Sequence, residues 1–117
     1  MKNLIGIVFL LFLGTTVVSA QKAKKADTLV VKTQIYCDHC LECGSCAGNI
    51  NVSMAGLYGI KKVNINPGLK NITVIYNPAK TSPEKIREAI SKAGFDADDI
   101  AAKPESVAKL DGCCKKN

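Results

Sequence analysis

Residues 60–77 read IKKVNINPGLKNITVIYN, two runs of alternating apolar and polar residues on either side of Asn66-Pro67-Gly68. Alternation with a period of two residues is typical of a strand with one buried face, and Asn, Pro and Gly together are typical of turns. The stretch therefore predicts an antiparallel β-hairpin with strands at residues 60–66 and 71–77.

A run with helical spacing lies on each side of this hairpin. After it, Ser82-Pro83-Glu84 predicts a helix start, because Ser can cap the free N–H groups, Pro suits the first turn and an acid suits the positive helix end. Apolar residues share one face over residues 86–93, and Gly94 ends this helix. Before the hairpin, a helix ending near Gly59 is predicted by apolar residues at three- and four-residue steps: Ala47, Ile50, Met54 and Leu57.

The outermost segments complete the pattern. Residues 28–36 (TLVVKTQIY) are rich in β-branched side chains and predict a first strand, and Phe95-Asp96-Ala97 predicts a short last strand. The order strand, helix, strand, strand, helix, strand is that of the α+β, ferredoxin-like βαββαβ sandwich. We therefore expect a four-stranded antiparallel sheet with both helices on one face.

The start of the chain is typical of an exported protein. Lys2 precedes an apolar run at residues 4–13, and Val18-Ser19-Ala20 fits the pattern after which signal peptidase cleaves. We expect residues 1–20 to be a signal peptide, followed by a polar linker at residues 21–27. An uncleaved membrane anchor is the alternative, but the run is short for a bilayer, which takes about 20 apolar residues.

The composition is that of a small globular protein. The chain has 117 residues, of which 47% are hydrophobic and 22% charged, and a formal net charge of +6 from scattered lysines. No Arg-rich run with interleaved aromatics accompanies that charge, so we expect no nucleic-acid partner. Six cysteines in so short a chain predict a disulfide framework or a metal site, and export would place them in an oxidising compartment, the periplasm.

Four of the cysteines lie in one loop, CDHCLECGSC at residues 37–46, between the first predicted strand and the first predicted helix. Thiolates are soft ligands that select Cu(I), Zn, Cd, Hg or iron–sulfur clusters over Mg or Ca. The free N–H groups at the start of the following helix stabilise a thiolate near Cys46. The loop therefore predicts a site for a soft metal ion.

At these residues the chain resembles the heavy-metal-associated domain family, whose members include copper chaperones and periplasmic mercury-binding proteins. The resemblance covers residues 28–99 and rests on matches spread along the chain: Ile50 four positions after Cys46, Leu57-Tyr58-Gly59-Ile60, Tyr76-Asn77-Pro78 and Gly94-Phe95. It implies the βαββαβ fold and a metal-binding Cys-x-x-Cys before the first helix. It also implies Cu(I) as the first metal to test, and a metal-transporting membrane protein or another metal carrier as partner.

The doubled Cys-x-x-Cys departs from the family, which has a single one. Helix register assigns Cys43 and Cys46 to the family's pair, whereas the approach from the first strand assigns Cys37 and Cys40, and an insertion of six residues reconciles the two. We take Cys43 and Cys46 as the first metal-ligand candidates and Cys37 and Cys40 as the second. Four thiolates would suit tetrahedral Zn, or Cu(I) with two or three sulfur ligands.

Three further residues are auxiliary metal or redox candidates. His39 is the only histidine and lies inside the first pair, where we favour a loop residue near the ion over a ligand. Cys113 and Cys114 lie in a tail at residues 100–117, whose predicted short helix at residues 104–110 would carry them towards the loop. They form a vicinal disulfide, bridge to the loop, or add ligands.

The sequence favours a protein that binds a soft ion, Cu(I) first and Zn, Hg or Cd after it, and buffers or transfers that ion by thiolate exchange. No Ser-His-acid set and no phosphate-binding Gly loop accompanies the thiols, so we expect no enzyme. Two alternatives remain. A secreted thiol–disulfide oxidoreductase is compatible with Cys-x-x-Cys but lacks a thioredoxin-like order, and a structural module would use the cysteines as disulfide cross-links.

Overall fold

A computed structural model describes residues 25–116, so the expected signal peptide and most of the linker lie outside the described residues. Three strands form one antiparallel sheet in the order β1-β3-β2: β1 (Asp27–Lys32), β2 (Ile60–Asn66) and β3 (Asn71–Tyr76). The α-helices are α1 (Asn49–Ala55), α2 (Pro83–Lys92) and the short α3 (Pro104–Val107). Within the described part of the chain, no helix is long and apolar enough to cross a membrane.

One face of the sheet carries the core. In the register of the ladder, Ile72 of the central strand lies opposite Val31 on one side and Ile65 on the other, and all three are buried. Val30, whose side chain points to the other face, is 53% exposed. Helix residues join the strand residues in the same buried cluster: Ile50 and Met54 from α1, and Ile86 and Ile90 from α2. Both helices therefore cover one face, as the alternation of the hairpin predicts.

The predicted start of the second helix is confirmed. The Ser82 hydroxyl accepts a hydrogen bond from the backbone N–H of Lys85 at 3.4 Å, and Pro83 occupies the first turn. Left-handed glycines follow both core helices, at Gly59 and Gly94, each with a φ of 100°. A Cβ atom on Gly59 would lie 2.6 Å from the Cβ atom of Lys80, so this turn also needs the absence of a side chain.

The predicted fourth strand is not confirmed within residues 25–116. The chain after α2 reaches the free edge of β1, where the N–H of Asp98 donates to the carbonyl of Lys32 at 2.8 Å. Ala97 then pairs with Ile100 in an isolated antiparallel bridge, and the φ of 52° at Asp98 turns the chain away from an extended course. A ladder cannot continue through such a turn, so the edge holds a short contact in place of a strand.

The Asp98 carboxylate fastens that contact. One oxygen accepts the backbone N–H of Lys32 at 2.8 Å, and the other accepts the Arg87 Nε–H at 2.9 Å. Partial burial raises the pKa of the Asp98 carboxyl, but the hydrogen bonds from Lys32 and Arg87 outweigh it and hold that pKa below its usual value. A lowered folded pKa means that the ionised carboxylate stabilises the fold above the unfolded pKa, and that this contribution is lost as the pH falls through the folded value.

Asp98→Asn is therefore predicted to lower the free energy of unfolding by about 1 kcal/mol at pH 7, because the amide loses the charge that Arg87 pairs with but keeps the left-handed backbone. Urea unfolding followed by circular dichroism measures this. The difference between wild type and variant should shrink below about pH 4. Asp99→Asn, at an exposed neighbour, is the control, and an equal loss in both variants would contradict the assignment.

Candidate metal centre

The cysteine loop is tightly coiled. Cys40–Glu42 forms a 3-10 turn, and Gly44–Gly48 forms a π-helical turn that leads directly into α1. The carbonyl of Cys43 accepts the N–H groups of Cys46 and Gly48, both at 3.2 Å. Because of this coiling, Cys40 and Cys46 lie on one side of the loop and Cys37 and Cys43 on the other.

Cys40 and Cys46 point into the core and are joined by a disulfide bond. Both are completely buried and belong to the hydrophobic core that the sheet and the helices form together. The structure thus links one cysteine from each Cys-x-x-Cys pair, and it does not pair Cys43 with Cys46 or Cys37 with Cys40. In this state neither bonded sulfur is a thiolate, so Cys40 and Cys46 could bind a metal only after reduction.

The other two loop cysteines meet the two tail cysteines. The Sγ atoms of Cys37, Cys43, Cys113 and Cys114 all lie within 4.8 Å of one another, and we call this group the four-thiol cluster. The Sγ atom of Cys114 lies 3.6 Å from that of Cys43 and 3.9 Å from that of Cys113. Cys37 and Cys114 are buried, Cys43 is half-buried and Cys113 is exposed, so the cluster is open to solvent on one side. His39 is exposed and lies outside the cluster.

The tail is held in place by contacts that sequence reasoning missed. Leu110 is buried against Gly94, where a Cβ atom would approach the Leu110 Cδ1 atom to 3.0 Å. The N–H of Asp111 donates to the Ser45 hydroxyl at 3.2 Å, which ties the tail to the cysteine loop. These partners are far apart in the sequence, so no spacing rule could have found them. Together the contacts bring the Gly112–Cys114 turn against Cys43.

The electrostatics of the cluster make one of its sulfurs easier to ionise than two of its neighbours. The backbone N–H of Ser45, followed by the Cys114 thiol, holds the pKa of Cys43 below its usual value. Burial, together with the neighbouring thiols, raises the pKa of Cys114, and the contact with Cys37 is the main cause of the raised pKa of Cys113. Cys43 is therefore the most readily ionised of these three sulfurs, and a metal that binds the others must displace their protons.

The cluster fits a soft metal ion. Thiolates around a tetrahedral ion with a metal–sulfur distance of about 2.3 Å lie about 3.8 Å apart. The distances from the Cys114 Sγ atom to those of Cys43 and Cys113, 3.6 and 3.9 Å, lie on either side of that value. A helix-covered antiparallel sheet with such a cluster, formed by thiols from the loop before its first helix and from its C-terminal tail, defines a class of protein: a metal-binding ferredoxin-like domain.

Comparison with known proteins gives the family. Residues 39–96 match the heavy-metal-associated domain, and the chain belongs to that family. It is 35% identical over 57 residues to Copper-transporting ATPase 2 of Homo sapiens. That match covers 49% of this chain but only 4% of the ATPase, so this chain spans a small fraction of its curated relative.

Solved structures show the same fold at low sequence identity. The CopZ metallochaperone is 17% identical, with a TM-score of 0.52 over 61% of this chain and 98% of that chain. Oxidized MerP from Ralstonia metallidurans CH34 is 21% identical, with a TM-score of 0.51 over 62% of this chain and 93% of that chain. Cys37, Cys113 and Cys114 lie outside the residues that match the family, so the four-thiol cluster extends beyond the family's segment.

Alkylation of the metal-free protein at pH 7, without prior reduction, tests this arrangement. Cys43 is predicted to react first with iodoacetamide, because it is partly exposed and its pKa is lowered, and Cys114 last, because it is buried and its pKa is raised. Cys40 and Cys46 should not react. Time-resolved peptide mass spectrometry gives the order, and Cys43 should lose its lead as the pH rises and the other thiols ionise.

Unfolding in urea without a reductant is the control for this experiment. It should equalise the rates of the four free thiols while Cys40 and Cys46 stay linked. Rapid labelling of Cys46 in the unreduced native protein would contradict the assigned disulfide.

Proposed function

We propose that the protein binds a soft metal ion, Cu(I) first, through Cys37 and Cys43, and that it buffers this ion or passes it to another carrier. The observation that carries the proposal is the gathering of four free sulfurs within 4.8 Å in a heavy-metal-associated domain. Thiolate softness explains why such a site would select Cu(I) and exclude Mg and Ca.

Cu(I) is favoured over the other soft ions by two arguments. Relatives of this chain are copper-transporting ATPases, and the segment in which they resemble this chain is 31–35% identical to it. Cu(I) also forms stable complexes with only two or three sulfur ligands. The loop has two free sulfurs, and one of them is partly exposed to solvent. Zn, Cd and Hg(II) share the preference for thiolates and are the competing cargoes.

Cys43 is the sulfur at which exchange with a partner would begin. It is half-buried, not fully enclosed, and its lowered pKa makes it easier to ionise than Cys113 or Cys114. An incoming partner thiolate would bind the ion, three sulfurs would share it, and the bond to Cys43 would then break. One thiolate replaces another, so charge is conserved and the ion is never free. The partner class is a metal-transporting membrane protein or another carrier with exposed thiolates, and the role requires no catalysis.

We also propose that the protein acts in the periplasm after cleavage near Ala20. The apolar run and the Val18-Ser19-Ala20 pattern support export. A disulfide between Cys40 and Cys46 is compatible with this location, because such bonds persist in oxidising compartments. Intact mass measurement of the protein recovered from a periplasmic extract tests the proposal. A mass that corresponds to a chain beginning at Gln21 is expected, and a full-length mass would refute it.

Competition with a chromophoric Cu(I) chelator tests the metal proposal. Under anaerobic conditions and a mild reductant that leaves Cys40–Cys46 linked, wild type should bind Cu(I), and Cys37→Ser/Cys43→Ser, which removes both proposed ligands, should lower the affinity by more than about 100-fold. Groups that only orient a ligand are worth roughly 10–100-fold, so a ligand itself should be worth more. His39→Gln, at an exposed position outside the cluster, is the matched control and should change little. If wild type does not compete with the chelator for Cu(I), the proposal is wrong.

A further inference from the structure

We propose that the C-terminal segment completes a second kind of site, in which Cys113 and Cys114 join Cys37 and Cys43 to hold one divalent d10 ion, Zn(II) or Cd(II), with four thiolates. The inference deepens the soft-metal function proposed above and rests on it. It assigns ligand roles to residues outside the segment that matches the family.

The geometry of the cluster favours four ligands on one ion. Every pair of the four sulfurs lies within 4.8 Å, and the two contacts of Cys114 are 3.6 and 3.9 Å. The edges of a tetrahedral four-thiolate site are about 3.8 Å long, so a small inward movement of the wider pairs closes the site. A Cu(I) ion with two sulfur ligands would leave two sulfurs of the cluster unused.

Charge points the same way. Four thiolates around a dication carry a formal charge of −2, whereas around Cu(I) they carry −3, and excess charge is costly where Cys37 and Cys114 are buried. Lys115 and Lys116 directly follow the cysteine pair. The ammonium of Lys115 donates to the carbonyl of Ala108 at 3.2 Å, which keeps its positive charge close to the tail. With four thiolates as ligands, a dication therefore leaves less uncompensated negative charge than Cu(I) does.

The tail is already positioned for this role. Its backbone is tied to the end of α2 through the N–H of Lys103, which donates to the carbonyl of Ser91 at 3.1 Å. Leu110 packs on Gly94, and the N–H of Asp111 donates to the Ser45 hydroxyl at 3.2 Å. Because these contacts pre-order the two tail sulfurs, less ordering entropy opposes metal binding. Metal binding should in turn stabilise the docked tail.

The tail would thereby separate two kinds of cargo. Cu(I) on Cys37 and Cys43 can leave through the open side by exchange at Cys43. A dication on four thiolates cannot leave until Cys113 and Cys114 also release it. The structure thus assigns retention of a divalent ion to the tail, and exchange of a monovalent ion to the loop.

Co(II) and Zn(II) titrations of the full chain, with Cys40–Cys46 left linked, test the inference. Co(II) should give the strong visible and near-ultraviolet bands of a tetrahedral thiolate site, and Zn(II) should displace it. Cys113→Ser/Cys114→Ser is expected to lower Zn(II) affinity more than about 100-fold and to weaken these bands. The same variant should lower Cu(I) affinity less than about tenfold. Glu105→Gln/Lys109→Gln, two exposed tail residues whose replacement leaves the net charge unchanged, is the matched control.

Unchanged Zn(II) affinity in the double-serine variant would overturn the inference while leaving Cu(I) binding intact. Loss of Cu(I) binding in wild type would instead refute the proposed function. Two measurements do not depend on the folding of the double-serine variant. Ser45→Ala keeps every sulfur but removes the hydroxyl that accepts the N–H of Asp111. It should weaken Zn(II) binding severalfold, and the absorption bands of the Co(II)-saturated variant should match those of wild type. Zn(II) should also protect the exposed Cys113 of wild type from iodoacetamide, and undiminished labelling would overturn the inference.

Discussion

The architecture of the metal centre depends on one constraint: alternate cysteines of the loop face opposite sides. The π-helical turn before α1 and the disulfide between Cys40 and Cys46 direct two sulfurs into the core. Cys37 and Cys43 are left free and face the tail.

The same constraint links stability to metal binding. A disulfide near the start of α1 restricts the unfolded chain and fills part of the core, so it stabilises the fold. A chain of this size has a modest core, and Cys37 and Cys114 are buried in it beside Cys40 and Cys46, so two of the four free cysteines also contribute to packing.

Local patterns predicted most of the fold. The hairpin, the Ser82 cap and the end of α2 before Gly94 each depend on rules that act over a few residues, and all three appear in the structure. The end of α1 is predicted near Gly59 but lies at Ala55, and a turn fills the residues between. The last strand failed because Asp98 adopts a positive φ and bonds to Lys32 and Arg87 through its side chain, which no alternation rule can anticipate. The sequence located the sulfur-rich loop, but not how its cysteines associate, because that depends on the coiling of the loop.

The family match and the cluster carry different information. The match to the heavy-metal-associated domain covers residues 39–96, from the cysteine loop to just beyond α2. Three of the four clustered sulfurs belong to Cys37, Cys113 and Cys114, outside that segment. Sequence reasoning kept the two tail cysteines as auxiliary candidates, and the structure places them next to Cys43 through Leu110 and Ser45. Two of the clustered sulfurs therefore come from the tail, beyond the segment that matches the family.

The most direct test of this account is X-ray absorption at the zinc edge of the protein loaded with one equivalent of Zn(II), with Cys40 and Cys46 still linked. It counts the sulfur neighbours of the ion and measures their distance. The account predicts four sulfurs at about 2.3 Å. A shell of two sulfurs completed by nitrogen or oxygen would contradict it.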